Sequence, residues 1–208
     1  MSDVDDSAKP KGRALAAIRR NAWIALAVVL ALVVISGIYQ RLSQPPKVDI
    51  GGPFSLTDQN GGRVSDTTYR GKIELIYFGF THCPDACPTT LTLIGDAMKK
   101  LTPQEAKQIQ PIFITLDPER DTPSVLAEYV RYFVPGMVGL TGTAKQIADA
   151  AREFRIAYQK VKAPNPDQPY TIEHASIIYV MDRRGAFLKD YTHGVTPDQL
   201  AAGLRQAI

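Results

Sequence analysis

The strongest hydrophobic signal comes early. From Ala22 to Ile38 the chain reads AWIALAVVLALVVISGI, with no charged residue. As a helix this run spans roughly 25 Å, and Tyr39 and its flanks extend it toward the ~30 Å hydrocarbon core of a bilayer. Its large aliphatic side chains favour insertion by about 0.3–0.6 kcal/mol each. Trp23 and Tyr39 stand at its ends, where amphipathic rings prefer the membrane interface. Lys9, Lys11, Arg13, Arg19 and Arg20 all precede it, which by the positive-inside rule keeps the tail in the cytoplasm. A cleaved signal peptide has the same polarity, but its apolar stretch is usually shorter, and no A-x-A-like site follows Ser36-Gly37. Arg19-Arg20, followed by Asn-Ala-Trp, is a poor match to a twin-arginine signal. The expected organisation is a cytoplasmic tail at 1–20, a transmembrane anchor at 21–40, a linker at 41–50 containing Pro45-Pro46, and one domain at 51–208. The expected location is the inner (cytoplasmic) membrane, single-pass, with that domain in the periplasm or an equivalent extracytoplasmic space.

Beyond the linker the apolar positions come in shorter groups. Phe54-Ser55-Leu56 and the Asp58–Gly62 turn predict a small hairpin closing near Val64. Ile73–Phe80 (IELIYFGF) is a continuous apolar run of strand length, suited to a strand buried on both faces. Leu91, Ile94, Met98 and Leu101 recur at helical spacing within 89–101. Pro111–Leu116 reads as a second buried strand, Ser124–Phe133 as a helix with Ser124 as its N-cap, and Val138–Leu140 as a short strand. Thr143 is placed to cap a helix running to about Phe154. Ile156–Val161 reads as a strand, followed by a polar, Pro-rich loop at Ala163–Pro169. Ser176–Met181 and Phe187–Tyr191 flank Asp182-Arg183-Arg184-Gly185 as a hairpin, and Thr196–Ala207 closes as a helix with Pro197 in its first turn. Met98 and Met181 read as core.

A β entry, two βα units and a final ββα imply an α/β fold: a mixed central sheet, parallel at its centre, with helices on both faces and antiparallel strands at the edge. This order resembles the thioredoxin-like fold with an insertion, here preceded by one transmembrane helix.

Composition narrows the functional classes. With 208 residues, 45% hydrophobic, 22% charged and a net charge of +3, the chain is an ordinary folded protein whose charge gives no argument for nucleic acid. A domain of this size buries enough surface to need no disulfide staples, so its two cysteines require another explanation.

They lie in Phe80-Thr81-His82-Cys83-Pro84-Asp85-Ala86-Cys87-Pro88, where a buried strand gives way to a helix. Helix N-termini stabilise thiolates. Thioredoxin-type redox motifs separate their cysteines by two residues, and this one by three. One helical turn apart, their Cβ atoms would be about 5–6 Å from each other. A relaxed disulfide prefers roughly 3.8 Å, whereas a metal bound by two sulfurs at about 2.3 Å bridges the wider gap. The spacing leans toward a metal and leaves a disulfide open. A third ligand would come from His82, His174 or His193. His82 would have to double back, and His193 sits in a turn as a solvated side chain. His174, alone a structural histidine, directly precedes the strand Ala175–Met181, at a junction that a thioredoxin-like fold brings beside the cysteine helix. A Cys₂His set is soft: it suits Cu(I), accommodates Cu(II) or Zn, and does not suit Mg or Ca. Glu119 and Asp121 read as a solvated turn.

Taken together, the single anchor, F-T-H-C-P-D-A-C-P at 80–88, T-L-D-P-E-R-D-T-P at 115–123, G-L-T-G-T at 139–143 and Y-T-I-E-H-A-S at 170–176 resemble the Sco/SenC family of copper-handling proteins. The resemblance implies that Cys83, Cys87 and His174 bind copper as Cu(I) or Cu(II). It implies a copper chaperone for the binuclear copper A centre of cytochrome c oxidase subunit II, a transfer protein rather than an enzyme. The alternative it carries is a thiol–disulfide reductase acting on the cysteines of that subunit. Other periplasmic copper donors or thiol reductants are implied as partners. Asp117 matches an acidic position near the metal, lying behind the ligands or facing the partner; its propensity as a turn former before Pro118 explains it equally well. A peroxidase would need an Arg and Thr pocket that is not evident around Cys83.

Overall fold

The structure, a computed structural model, describes Trp23, Leu26 and residues 29–39, 50–164, 168–192 and 194–208. It falls into two units, Met1–Val48 and Asp49–Ile208. In the first, the described residues are helical and their large apolar side chains are exposed. Among the described residues no helix is long and apolar enough to cross a membrane. The expected anchor lies partly outside them, as do the expected tail and all of the linker but Ile50.

The second unit is a mixed, thioredoxin-like sheet. Its strands are β1 (Ser55–Asp58), β2 (Arg63–Ser65), β3 (Ile73–Gly79), β4 (Ile109–Thr115), β5 (Val138–Thr141), β6 (Tyr158–Val161), β7 (Thr171–His174), β8 (Ile178–Met181) and β9 (Phe187–Tyr191). Between and after them run α1 (Ala86–Lys99), α2 (Pro103–Ala106), α3 (Pro123–Phe133), α4 (Ala144–Glu153) and α5 (Pro197–Ala207). Seven strands form one sheet in the order β2-β1-β5-β4-β3-β8-β9, with β3, β4 and β5 parallel and the other pairings antiparallel. β6 and β7 form a separate two-stranded sheet.

Every residue of β3 and β4 is buried, which explains why their sequences are continuous rather than alternating. Alternation survives in what each side chain meets. Tyr77 turns toward Phe113 and Cys87, while Phe78 packs against Phe154 at the end of α4, on the opposite face. α1 packs against both α3 and α5 on the Tyr77 side. Thr143 and Thr196 cap α4 and α5 through reciprocal bonds with Gln146 and Gln199.

Several elements differ from the sequence expectation. Thr122, not Ser124, caps α3: its hydroxyl accepts from the Val125 amide, and Pro123 takes the first helical position, where its missing donor costs nothing. α2 was not foreseen; a Thr102–Glu105 capping box stabilises its single turn. Residues 171–174 form a strand of their own, β7, so His174 ends one strand instead of leading straight into the next, and β8 begins only at Ile178. Met181 is buried and Met98 packs against the core, as expected.

Candidate metal and thiol centre

β3 ends on Gly79, and its last turn determines where the cysteines go. A Cβ at Gly79 would stand 2.8 Å from Cys87 Sγ and 2.9 Å from the Phe113 ring, so only glycine lets α1 dock here. Cys87, at the second position of α1, is fully buried; Cys83, in the loop before it, is half-buried, and both are free thiols. Asp85 sits at the N-cap without making a side-chain capping bond. The acceptor role falls to Cys83 Sγ, which receives the Cys87 N–H at 3.4 Å.

This geometry makes the two sulfurs unequal. Hydrogen bonding from the Cys87 thiol, with help from the Cys87 and Asp85 amides and against the cost of burial, brings the Cys83 thiol down to about 5. Donation to Cys83 and burial push the Cys87 thiol far up. Cys83 is thus a thiolate at neutral pH and Cys87 a thiol that solvates it. Behind Cys87, the Tyr77 hydroxyl lies 3.7 Å from Sγ and 2.9 Å from Ser176 Oγ, which in turn is 3.3 Å from Thr90 Oγ1.

His174, the last residue of β7, brings Nε2 to 3.9 Å from Cys87 Sγ. Its Nδ1 is 2.9 Å from its neighbour's carbonyl, Ala175 O, which assigns the proton to Nδ1 and leaves the Nε2 lone pair facing the sulfur. Phe80 and Tyr77 meet the ring edge-on, and burial lowers the imidazole's pKa, favouring its neutral form. A sulfur and a nitrogen bound to one metal at about 2.3 and 2.0 Å are roughly 3.7 Å apart at a trigonal angle. The observed pair is close to that span. Among the described residues, however, no group of three or more His, Cys, Asp or Glu side chains is gathered tightly enough to hold a metal ion as it stands.

The other candidates separate from this cluster. The His82 ring turns away, with Nδ1 3.0 Å from Thr81 Oγ1 and 3.9 Å from Asp121 Oδ1. His193 lies outside the described residues. Asp121 is not solvated, contrary to the sequence reading. It is fully buried and accepts from the Thr81 amide at 3.0 Å and from the Thr81 and Thr115 hydroxyls at 2.6 Å each, tying the end of β3 to the end of β4. Burial raises its pKa against those bonds. The signal missed in the sequence was the pair of threonines, one at each strand end. Asp117 is also fully buried. It is paired with Arg120 and accepts from the Tyr170 hydroxyl at 2.8 Å.

The family model SCO1/SenC matches residues 43–208. The chain belongs to the SCO1/SenC family. A SCO2-like protein of Rickettsia prowazekii is 46% identical over 145 residues, 70% of each chain. The structure of Bradyrhizobium japonicum ScoI with copper bound aligns at 42% identity and a TM-score of 0.70, covering 76% of this chain and 99% of ScoI. BsSco, described as a member of the Sco family of cytochrome c oxidase assembly proteins and as having a disulfide switch, aligns at 27% identity and a TM-score of 0.61, over 79% of this chain and 96% of BsSco.

Proposed function

We propose that this chain is a membrane-anchored copper chaperone. Cys83, Cys87 and His174 would carry one copper ion to the binuclear copper A centre of cytochrome c oxidase subunit II. The observation that carries this reading is the convergence on Cys87: its Sγ is approached by the His174 Nε2 lone pair at 3.9 Å, and its own N–H is accepted by Cys83 Sγ. It is supported by the family membership and by the copper-bound ScoI to which the chain is similar. Two thiolates and an imidazole form a soft set in which Cu(I) is held without the fourth ligand that zinc prefers. Loading needs both sulfurs deprotonated, so copper would displace the Cys87 proton. The domain would sit outside the cytoplasm on the anchor at 21–40. The exposed apolar side chains of the N-terminal helix support a lipid setting.

A second reading, a thiol–disulfide reductase for the same subunit, is favoured by the inequality of the sulfurs. A half-exposed thiolate beside a buried thiol is a nucleophile with a resolving partner. Cys83 would attack the acceptor disulfide, releasing one acceptor thiolate. Cys87 would then displace the second, leaving a Cys83–Cys87 disulfide and passing two electrons to the acceptor. The disulfide switch described for BsSco fits this reading as well.

The test varies only the metal load. The reduced chain in detergent micelles, copper-loaded or metal-free, is mixed with a copper A domain whose cysteines are already reduced, and the acceptor's copper absorbance is followed. A chaperone loads the acceptor from the copper-bound form alone. No transfer from the loaded form, together with rapid reduction of an oxidised acceptor by the metal-free dithiol, would establish the reductase instead.

A further inference from the structure

The cysteines and His174 belong to different parts of the fold. Cys83 and Cys87 are fixed at the mouth of α1, on the main sheet. His174 ends the β6–β7 hairpin, which among the described residues shares no strand pairing with that sheet. A two-stranded sheet alone is marginal, so whatever fastens the hairpin decides whether His174 faces the sulfurs. Ile172 is one fastening, buried in the core. Tyr170 is another. It stands at even spacing from Ile172 and His174, on the same face of the extended chain.

Polar and cationic contacts converge on Tyr170, among them a 3.5 Å approach of its hydroxyl to Glu119 Oε2. Its hydroxyl donates to Asp117 Oδ1 at 2.8 Å, and its carbonyl accepts from Arg120 Nη1 at 3.3 Å. The Arg120 guanidinium lies 4.0 Å from its ring centroid and Lys160 Nζ, from β6, lies 4.4 Å from it. Asp117 pairs with Arg120, and Lys160 with Glu119 at 2.6 Å. Asp117 is thus buried with both oxygens engaged, in the loop that follows β4, and that loop is itself anchored to β3 through Asp121, Thr81 and Thr115.

We propose that Tyr170, Asp117 and Arg120 form a latch that positions His174, so that copper bound by the cysteines gains its imidazole only while the hairpin is fastened. The proposal rests on the copper reading above. It assigns Asp117 to the hairpin, not to the metal. Tyr170 is a positioning residue: it touches neither sulfur nor imidazole, and its effect passes entirely through His174.

The test is a double-variant cycle on the full chain in detergent, with copper(I) affinity read by competition against a chelator. Tyr170→Ala is expected to weaken binding on the order of tenfold, the loss of a charge-assisted hydrogen bond and two cation–ring contacts. Tyr170→Phe, which keeps the stacking and loses only the bond, falls between it and wild type. His174→Ala weakens binding further, and Tyr170→Ala added to His174→Ala costs nothing more. In the metal-free protein, Tyr170→Ala speeds amide hydrogen exchange in β6 and β7 while β3 and β4 keep their protection. Additive losses in the double variant, or unchanged exchange in the hairpin, overturn the latch. Wild-type affinity in His174→Ala overturns the ligand assignment instead, and with it the purpose given to the latch.

Discussion

At Cys83 the sulfur accepts the Cys87 amide at the open end of α1, while at Cys87 it is buried beside Tyr77 and His174. Four positions of sequence thus separate two chemistries. With the Cys83 thiol held at about 5, limiting iodoacetamide should modify Cys83 alone. Its rate should be nearly flat from pH 8 to pH 6 and fall only as pH drops through about 5. Peptide mapping against pH checks this, and a rate still climbing above pH 8 would mean an ordinary thiol. The pair was legible in the sequence because an apolar strand, two cysteines and a proline mark a strand-to-helix mouth. His174 was legible only through its place in the expected thioredoxin-like order and through the resemblance, since nothing local distinguishes a histidine that faces sulfur from one that faces water. Asp121 was misread for a related reason. A charged residue in a polar run looks solvated until the chain folds two threonine hydroxyls onto it.

Among the elements, β3 carries one carboxyl side chain into the core. Glu74 is buried, one of its oxygens has no partner among the described residues, and burial, opposed by Arg70, lifts its carboxyl to about 7. Below pH 4.5 folded and unfolded chains both hold this proton, and the contribution to stability is whole. As pH rises from 4.5 to about 7 the unfolded chain releases the proton while the folded chain keeps it, so stability falls across that window. The displacement caps the effect at about 3 kcal/mol, and partial solvent access reduces it to about 1–2 kcal/mol. Glu74→Gln should flatten the fall and gain about that much at pH 8. Denaturant midpoints at pH 4.5, 6 and 8 decide it, and a variant that parallels wild type at all three would contradict it. The strand itself was plain in the sequence as an apolar run. β7 was not, because its pairing partner lies across a Pro-rich loop and its four residues carry no apolar alternation beyond Ile172.

For the whole molecule, the parallel β3-β4-β5 centre and the antiparallel β8–β9 edge follow from the order of apolar runs and turns. The placement of β1 beside β5 depends on long-range pairing that no local pattern carries. The proposed anchor at 21–40 would give a topology that can be read directly. A periplasm-active reporter fused after Ile208 should be active, and a cytoplasm-active one silent; the reverse would place the domain inside.

The central claim, that Cys83, Cys87 and His174 together hold copper, is tested most directly by anaerobic Cu(II) titration of the reduced chain, followed by visible absorption. The account predicts a sulfur-to-copper charge-transfer band that saturates at one equivalent. The band should be lost in Cys83→Ser and in Cys87→Ser, and binding strongly weakened in His174→Ala, while His82→Ala stays close to wild type. A wild-type band and affinity in His174→Ala, or saturation unaffected by either cysteine change, would contradict it.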